Sequence, residues 1–288
     1  MGIDDAAPPG LLRNWVFQPS APSLRTVAAR AWRSAAHRRF GPRWQTLAPM
    51  RSARRWIGYF IFAPDGQLKP HHLFTLDRLR THGAKIAVVC ATHSVDAMPL
   101  ELSELSDALY WKELEGFDFS AYAILVAEAA RASAGTDLIV MNDSVFGPFG
   151  DLYAVYDRLP YRFAGLTGYS LIENHIQSYS FRLRSVDGST VRALRRIASE
   201  TRAFNKFQDV TYCQETRLAR AMAREYCGGA LWFSDHREGG GDLPLTWPIG
   251  LIEEGFPFLK RSLFTKFKTM GDEQALQTFL ARRGHPVG

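Results

Sequence analysis

The sequence lacks most of the features that announce common enzyme classes. It has three cysteines in 288 residues, Cys90, Cys213 and Cys227, too few and too widely spaced for a CxxC pair or a disulfide framework. They are expected to be free or buried thiols of a reducing compartment. No uninterrupted apolar run approaches the ~18 residues that a membrane span needs. The opening Met-Gly-Ile-Asp-Asp-Ala-Ala-Pro-Pro lacks the basic start and apolar stretch of a secretory signal. The expected location is cytoplasmic, at most peripheral on the cytoplasmic face of the inner membrane. There is no GxGxxG, P-loop lysine, HExxH or GxSxG. That argues against dinucleotide oxidoreductases, P-loop enzymes, zincins and α/β-hydrolases. His71, His72 and His93 fit no common zinc spacing and read as structural or surface residues.

Acid is missing from one region. Residues 1–55 hold ten arginines and only Asp4 and Asp5, a net of +8, so the whole-chain +6 leaves −2 for the remainder. The basicity therefore belongs to an N-terminal arm, which anionic lipid, nucleic acid or a partner protein would each suit. The slightly acidic body argues against an extended nucleic-acid footprint, and no nucleic-acid partner is expected. Within the arm, Leu24, Val27, Ala28, Ala31, Trp32 and Ala35 recur at helical spacing with arginines between them. The pattern predicts a short amphipathic basic helix over 23–39, lying on a membrane surface or packing on the body.

What is present is a globular composition, 46% apolar and 22% charged. Apolar runs and helical segments alternate from residue 56. Strands are predicted at 56–63, 85–91, 108–111, 137–141, 161–166 and 178–184. Helices are predicted at 68–82, 119–134, 150–159, 189–202 and 215–226. This alternation predicts βαβ units and a mostly parallel sheet flanked by helices, an α/β fold whose ligands sit beyond the carboxyl ends of the strands. Three regions result: the basic arm 1–55, an enzyme domain 56–265 and a helical tail 266–288. The Gly-rich 238–243 reads as a mobile loop.

Four polar constellations stand at such strand ends. A buried strand runs abruptly into Asn142-Asp143-Ser144, followed by Gly147-Pro148. Asp143 there either holds a divalent cation, Mg²⁺ or Mn²⁺, or caps a turn. Asp118 and Ser120 open a helix, as N-cap residues or beside a bound phosphate. Thr167, then His175, Gln177 and Ser178, form a dense polar set between two strands, which favours substrate contact. Glu215 opens a helix behind Tyr212, either complementing the helix dipole or acting as a general base.

Taken in order, these segments resemble the rhamnan synthesis protein F family of bacterial polysaccharide glycosyltransferases. The resemblance rests on Gly116–Phe119, Asn142–Pro148, Gly165–Thr167, His175–Tyr179, Tyr212 with Glu215, and Pro257–Arg261. It covers roughly residues 56–265 and leaves the basic arm outside. Lys112 and Leu114 stand where the family often has Arg and Asn, and Cys213-Gln214 splits its Tyr-Glu pair. The resemblance implies a fold similar to GT-A glycosyltransferases, with a Rossmann-like half binding a nucleoside-diphosphate sugar. It implies Asp143 as metal ligand and catalytic residue with Glu215 as the catalytic base. Asp118, Ser120, Asn142, Ser144, Thr167, His175, Gln177 and Ser178 would then meet the donor or acceptor. The implied acceptor is a growing polyprenyl-linked glycan, with the arm at the membrane surface. A catalytically silent glycan-binding or scaffold subunit is the alternative.

Overall fold

The buried apolar runs become neighbouring strands of one ten-stranded sheet. The computed structural model describes residues 7–270 and 272–286. Asp4, Asp5 and the last two residues of the expected tail lie outside them. In chain order the strands are β1 (Leu11–Val16), β2 (Trp44–Ala48), β3 (Arg55–Phe62), β4 (Lys85–Ala91), β5 (Ala108–Lys112), β6 (Asp137–Asn142), β7 (Phe163–Tyr169), β8 (His175–Ile176), β9 (Ser180–Leu183) and β10 (Gly228–Ser234). The principal helices are α1 (Leu24–His37), α2 (Pro70–Arg80), α3 (Phe117–Ala132), α4 (207–222) and α5 (Glu273–Arg282).

Across the sheet the order is β1-β10-β7-β9-β6-β3-β4-β5-β2, with β8 attached to β7. Strands β3 to β6 are parallel to one another in the order β6-β3-β4-β5. Antiparallel β9 separates them from the parallel pair β7 and β10, which point the same way. The protein is thus mixed α/β with a large, mostly parallel central sheet flanked by helices. The winding direction reverses between β3 and β6, so their carboxyl ends frame the crevice where open sheets bind ligands.

Helices cover both faces because the central strands are apolar on both faces. Ile57, Tyr59 and Ile61 of β3 pack with Leu76 and Leu79 of α2. Trp56 and Phe60, alternating with them, pack on the other face with Ile124 and Leu125 of α3. Gly58 lies under Leu125, whose methyl would be 2.8 Å from a Cβ there.

The basic stretch is not a separate arm, because its strands supply both edges of the sheet. β1 pairs antiparallel with β10, and Trp15 stacks on Phe233 with ring centroids 4.0 Å apart. β2 pairs antiparallel with β5. A detached arm would leave Trp15 and Phe17, which are buried here, in water. The tail is docked as well: Leu276 and Leu280 of α5 close a small core with Leu245, Leu259 and Leu263. Among the described residues no helix is long and apolar enough to cross a membrane.

Candidate active site

The polar constellations converge at the carboxyl edge of the parallel strands. β6 ends in Asn142, whose backbone N–H donates to the Tyr179 carbonyl at 3.1 Å, so the segment before β9 starts beside it. The Asn142 amide donates to Asp118 Oδ2 at 2.8 Å and to the Tyr122 hydroxyl at 2.9 Å. The single Tyr122 hydroxyl proton is shared between the Ser178 carbonyl at 2.9 Å and Asp118 Oδ2 at 3.2 Å. Ser178 gives both its backbone N–H (3.2 Å) and its hydroxyl (3.0 Å) to Glu215 Oε1. Gln177 donates its side-chain amide to Asp242 Oδ2 at 3.1 Å, while Thr167 donates to Gln177 Oε1 at 2.5 Å. Three carboxylates, those of Asp118, Glu215 and Asp242, are therefore each aimed by a neighbour that is itself buried.

The field among them is strong. Burial pushes the Asp118 carboxyl up to about 6, and the Glu215 charge adds to the rise against hydrogen bonds from Asn142 and Tyr122. Asp242 is raised for the same first reason, burial, with the Lys260 charge opposing it. Lys260 lies with its ammonium 3.9 Å from the centre of the Tyr179 ring. Burial lowers its pKa, and Asp242, Glu215 and Asp118 all counteract that. One cation thus answers several acids in a partly closed space, an arrangement typical of sites where proton transfer is tuned.

A family model described as rhamnan synthesis protein F matches residues 86–282. The chain belongs to that family. Membership ties it to polysaccharide synthesis. The match includes Asp118, Glu215, Asp242 and Lys260 and leaves out β1, α1, β2 and β3. A search of curated proteins returned no match.

Several expected contact residues of this family member lie behind the site rather than in it. Thr167 is fully buried and shares its hydroxyl with Gln177 and with the Tyr179 hydroxyl at 2.6 Å. Ser120 is buried and donates to the Phe117 carbonyl at 2.9 Å, under the left-handed turn of Gly116 and Phe117. Ser144 donates its hydroxyl to Asn142 Oδ1 at 2.6 Å, a local turn that fixes the Asn142 amide. His175 donates from Nδ1 to the Glu173 carbonyl at 2.9 Å. Thr167 and Ser144 thereby fix Gln177 and Asn142, which aim Asp242 and Asp118. Glu215 directly precedes the α-helical stretch Thr216–Met222, as expected, but helical structure already runs up to it from Phe207. Glu215 ends a π-helical turn, Thr211–Glu215, inside α4, so the helix-dipole reading falls away. Such turns recur at functional sites because they rotate a side chain out of helical register.

Asp143 faces elsewhere. Successive residues at a strand end project to opposite faces, and while Asn142 turns toward α3, Asp143 turns toward α2. Its carboxylate lies 3.1 Å from His72 Nε2 and 3.3 Å from Arg261, and accepts from the Phe62 N–H at 3.3 Å. It does not share the cleft of the 175–178 segment; the carboxylate beside Asn142 that does is Asp118. Ligand atoms of His71, His72 and Asp143 lie within 4.8 Å of one another, so a divalent cation deserves a test of fit. His72 Nδ1 accepts the Lys69 backbone N–H at 3.1 Å, which leaves the ring proton on Nε2, pointed at Asp143. That nitrogen has no lone pair for a metal, and Arg261 already balances the carboxylate. As hydrogen-bonded here, this donor set does not suit a divalent cation.

Sequence reasoning missed Asp242 and Lys260. Asp242 sits in the Gly-rich stretch expected to be mobile, which is in fact packed: a Cβ on Gly240 would lie 2.2 Å from Ser234 Oγ. Lys260 was visible only as part of the Pro257–Arg261 segment. A groove of about 580 Å³ opens at the opposite, amino-terminal edge, lined by Arg54, Arg55, Arg80 and Lys85. Lys85 there pairs with Asp107 at 2.8 Å, and none of the three site carboxylates reaches it.

Proposed function

We propose that the protein is a glycosyltransferase that moves a sugar, rhamnose being the first candidate, from a nucleoside-diphosphate sugar to a growing lipid-linked surface polysaccharide. The carrying observation is the Asp118–Glu215–Asp242 cluster around Lys260, placed at the switch-point edge of the sheet in a member of the rhamnan synthesis protein F family. A GT-A-like arrangement, with the nucleotide over the carboxyl ends of β3 to β5, accords with this edge.

In the proposed step, an acceptor hydroxyl gives its proton to Asp118 as its oxygen bonds the anomeric carbon. A carboxylate poised near the working pH suits that task. The bond from the anomeric carbon to the diphosphate oxygen breaks, and the nucleoside diphosphate leaves with the electron pair. Its developing charge is met by Lys260. Glu215 and Asp242 keep Lys260 charged and hold acceptor hydroxyls. No step requires a metal.

The test is a thermal-stability panel with UDP, GDP and dTDP, each with Mn²⁺ and with a chelator. One nucleotide should stabilise the protein, by about 2.7 kcal/mol at a hundredfold excess over its Kd, equally well with chelator present. Absence of any shift would sink the donor assignment. A shift that needs Mn²⁺ would return a cation to the site.

A further inference from the structure

Helix α1 has its polarity reversed. A surface helix ordinarily buries its apolar stripe and shows its charges to water. Here two of its three arginines, Arg30 and Arg33, face in. Arg30 is buried, donates from Nε to the Tyr212 carbonyl at 2.7 Å, and forms an ion pair with Glu173. Arg33 pairs with Asp209 at 2.5 Å, joined by His37 at 2.8 Å. The side chains of Glu173 and Asp209 are fully buried, so both require cations. These buried pairs fix the rotation of α1, and the apolar stripe is turned outward. Leu24 is 87% exposed, Trp32 60% and Val27 49%, and Ala28, Ala31 and Ala35 are exposed with them. Phe40, shortly after the helix, is 94% exposed.

We propose that this face of α1 seats the protein in the headgroup region of an anionic lipid bilayer. The charge around it selects that occupant. Described residues 7–55 contain no acid at all. Arg25 and Arg39 are exposed and enter no ion pair among the described residues. Arg38 lies close enough to Arg202 for the two charges to repel, although burial is the larger influence on it. Unanswered cations beside an apolar stripe complement phosphate headgroups over acyl chains. An indole such as that of Trp32 favours the same boundary. A nucleic acid would leave the stripe in water, and an acidic protein partner would leave the leucine and tryptophan without a matching surface. The placement also bears on the site. α1 packs on α4, which carries Glu215, and holds Glu173, two residues before His175. A docked α1 sets α4, the helix that carries Glu215, at the packing distance of two helices, roughly 10 Å, from the membrane-bound helix. Lipid docking through α1 is independent of the sugar chemistry at the carboxylates.

Sedimentation of the full chain with vesicles tests it. Vesicles of phosphatidylcholine with about 30% phosphatidylglycerol should carry the protein down, and phosphatidylcholine alone should carry far less. Val27→Asp with Trp32→Asp should lower partitioning by about tenfold or more. Arg25→Gln with Arg39→Gln should lower it by about fivefold per arginine and remove most of its salt dependence. Failure of the wild-type chain to bind anionic vesicles overturns the proposal. So does equal binding by the Asp variant, or a dimer that the Asp variant dissolves while vesicles are ignored. Nucleotide stabilisation measured on the same variants should be unchanged, which separates a failure here from a failure of the transferase reading.

Discussion

Asp118 accepts hydrogen bonds from Asn142 and Tyr122 that favour its charged form, yet burial and Glu215 raise its pKa from 3.8 to about 6. Its consequences for pH are specific. As a base it must be deprotonated, so turnover should fall as pH drops through about 6, by roughly tenfold per unit below it. The effect on stability has the opposite direction. The folded state binds this proton more tightly than the unfolded chain, so the protonated form stabilises the fold at low pH. That contribution is lost as pH rises from about 4 to about 6. Asp118→Asn should cut kcat by about 10²–10⁴ and flatten both pH dependences, with nucleotide binding retained. Wild-type turnover in that variant would remove Asp118 from the chemistry. Asp118 was legible in the sequence because it follows a strand and opens a helix. Asp242 was not, because only the fold brings Gln177 to it. Nor could spacing tell that Asn142 and Asp143, one residue apart, serve different faces.

At the level of elements, α4 is where sequence and structure diverge most usefully. The sequence shows a helix beginning near Glu215, whereas helical structure starts at Phe207 and passes through the π turn. The wider turn leaves backbone carbonyls to be satisfied, and Thr216 donates to the Thr211 carbonyl at 3.0 Å while Arg30 bonds that of Tyr212. Arg30→Ala should therefore cost about 3–5 kcal/mol, since Glu173 would keep only Arg220 as partner. Chemical denaturation would measure the loss as a lowered midpoint at unchanged slope, and a cost below about 1 kcal/mol would mean that the pair is open to water. The central strands β3 to β6 were readable as short, doubly apolar runs between helical patterns. β1 and β10 were not. β1 buries only Trp15 among its six residues, and β10 begins Gly-Gly, which reads as a turn. Those glycines are required by contact: a Cβ on Gly229 would meet the Trp15 carbonyl oxygen at 2.4 Å.

For the molecule as a whole, the basic N-terminal region is structural. Removing residues 1–17 would strip β1 from β10, delete the Trp15–Phe233 stack and free Glu254 from Arg13. Loss of the tryptophan alone should cost about 3–5 kcal/mol, and the bared β10 would offer an edge for self-association. Scanning calorimetry with light scattering should show a lower Tm and earlier aggregation. An unchanged Tm would restore the picture of a dispensable arm. The same pairing has a consequence for biosynthesis. Leu11 lies opposite Ser234, so β1 must wait until β10 has been made before it can pair. Contacts so distant in sequence form slowly. Until then the nascent chain carries a tryptophan-bearing strand with no mate, a window in which chaperone capture competes with aggregation.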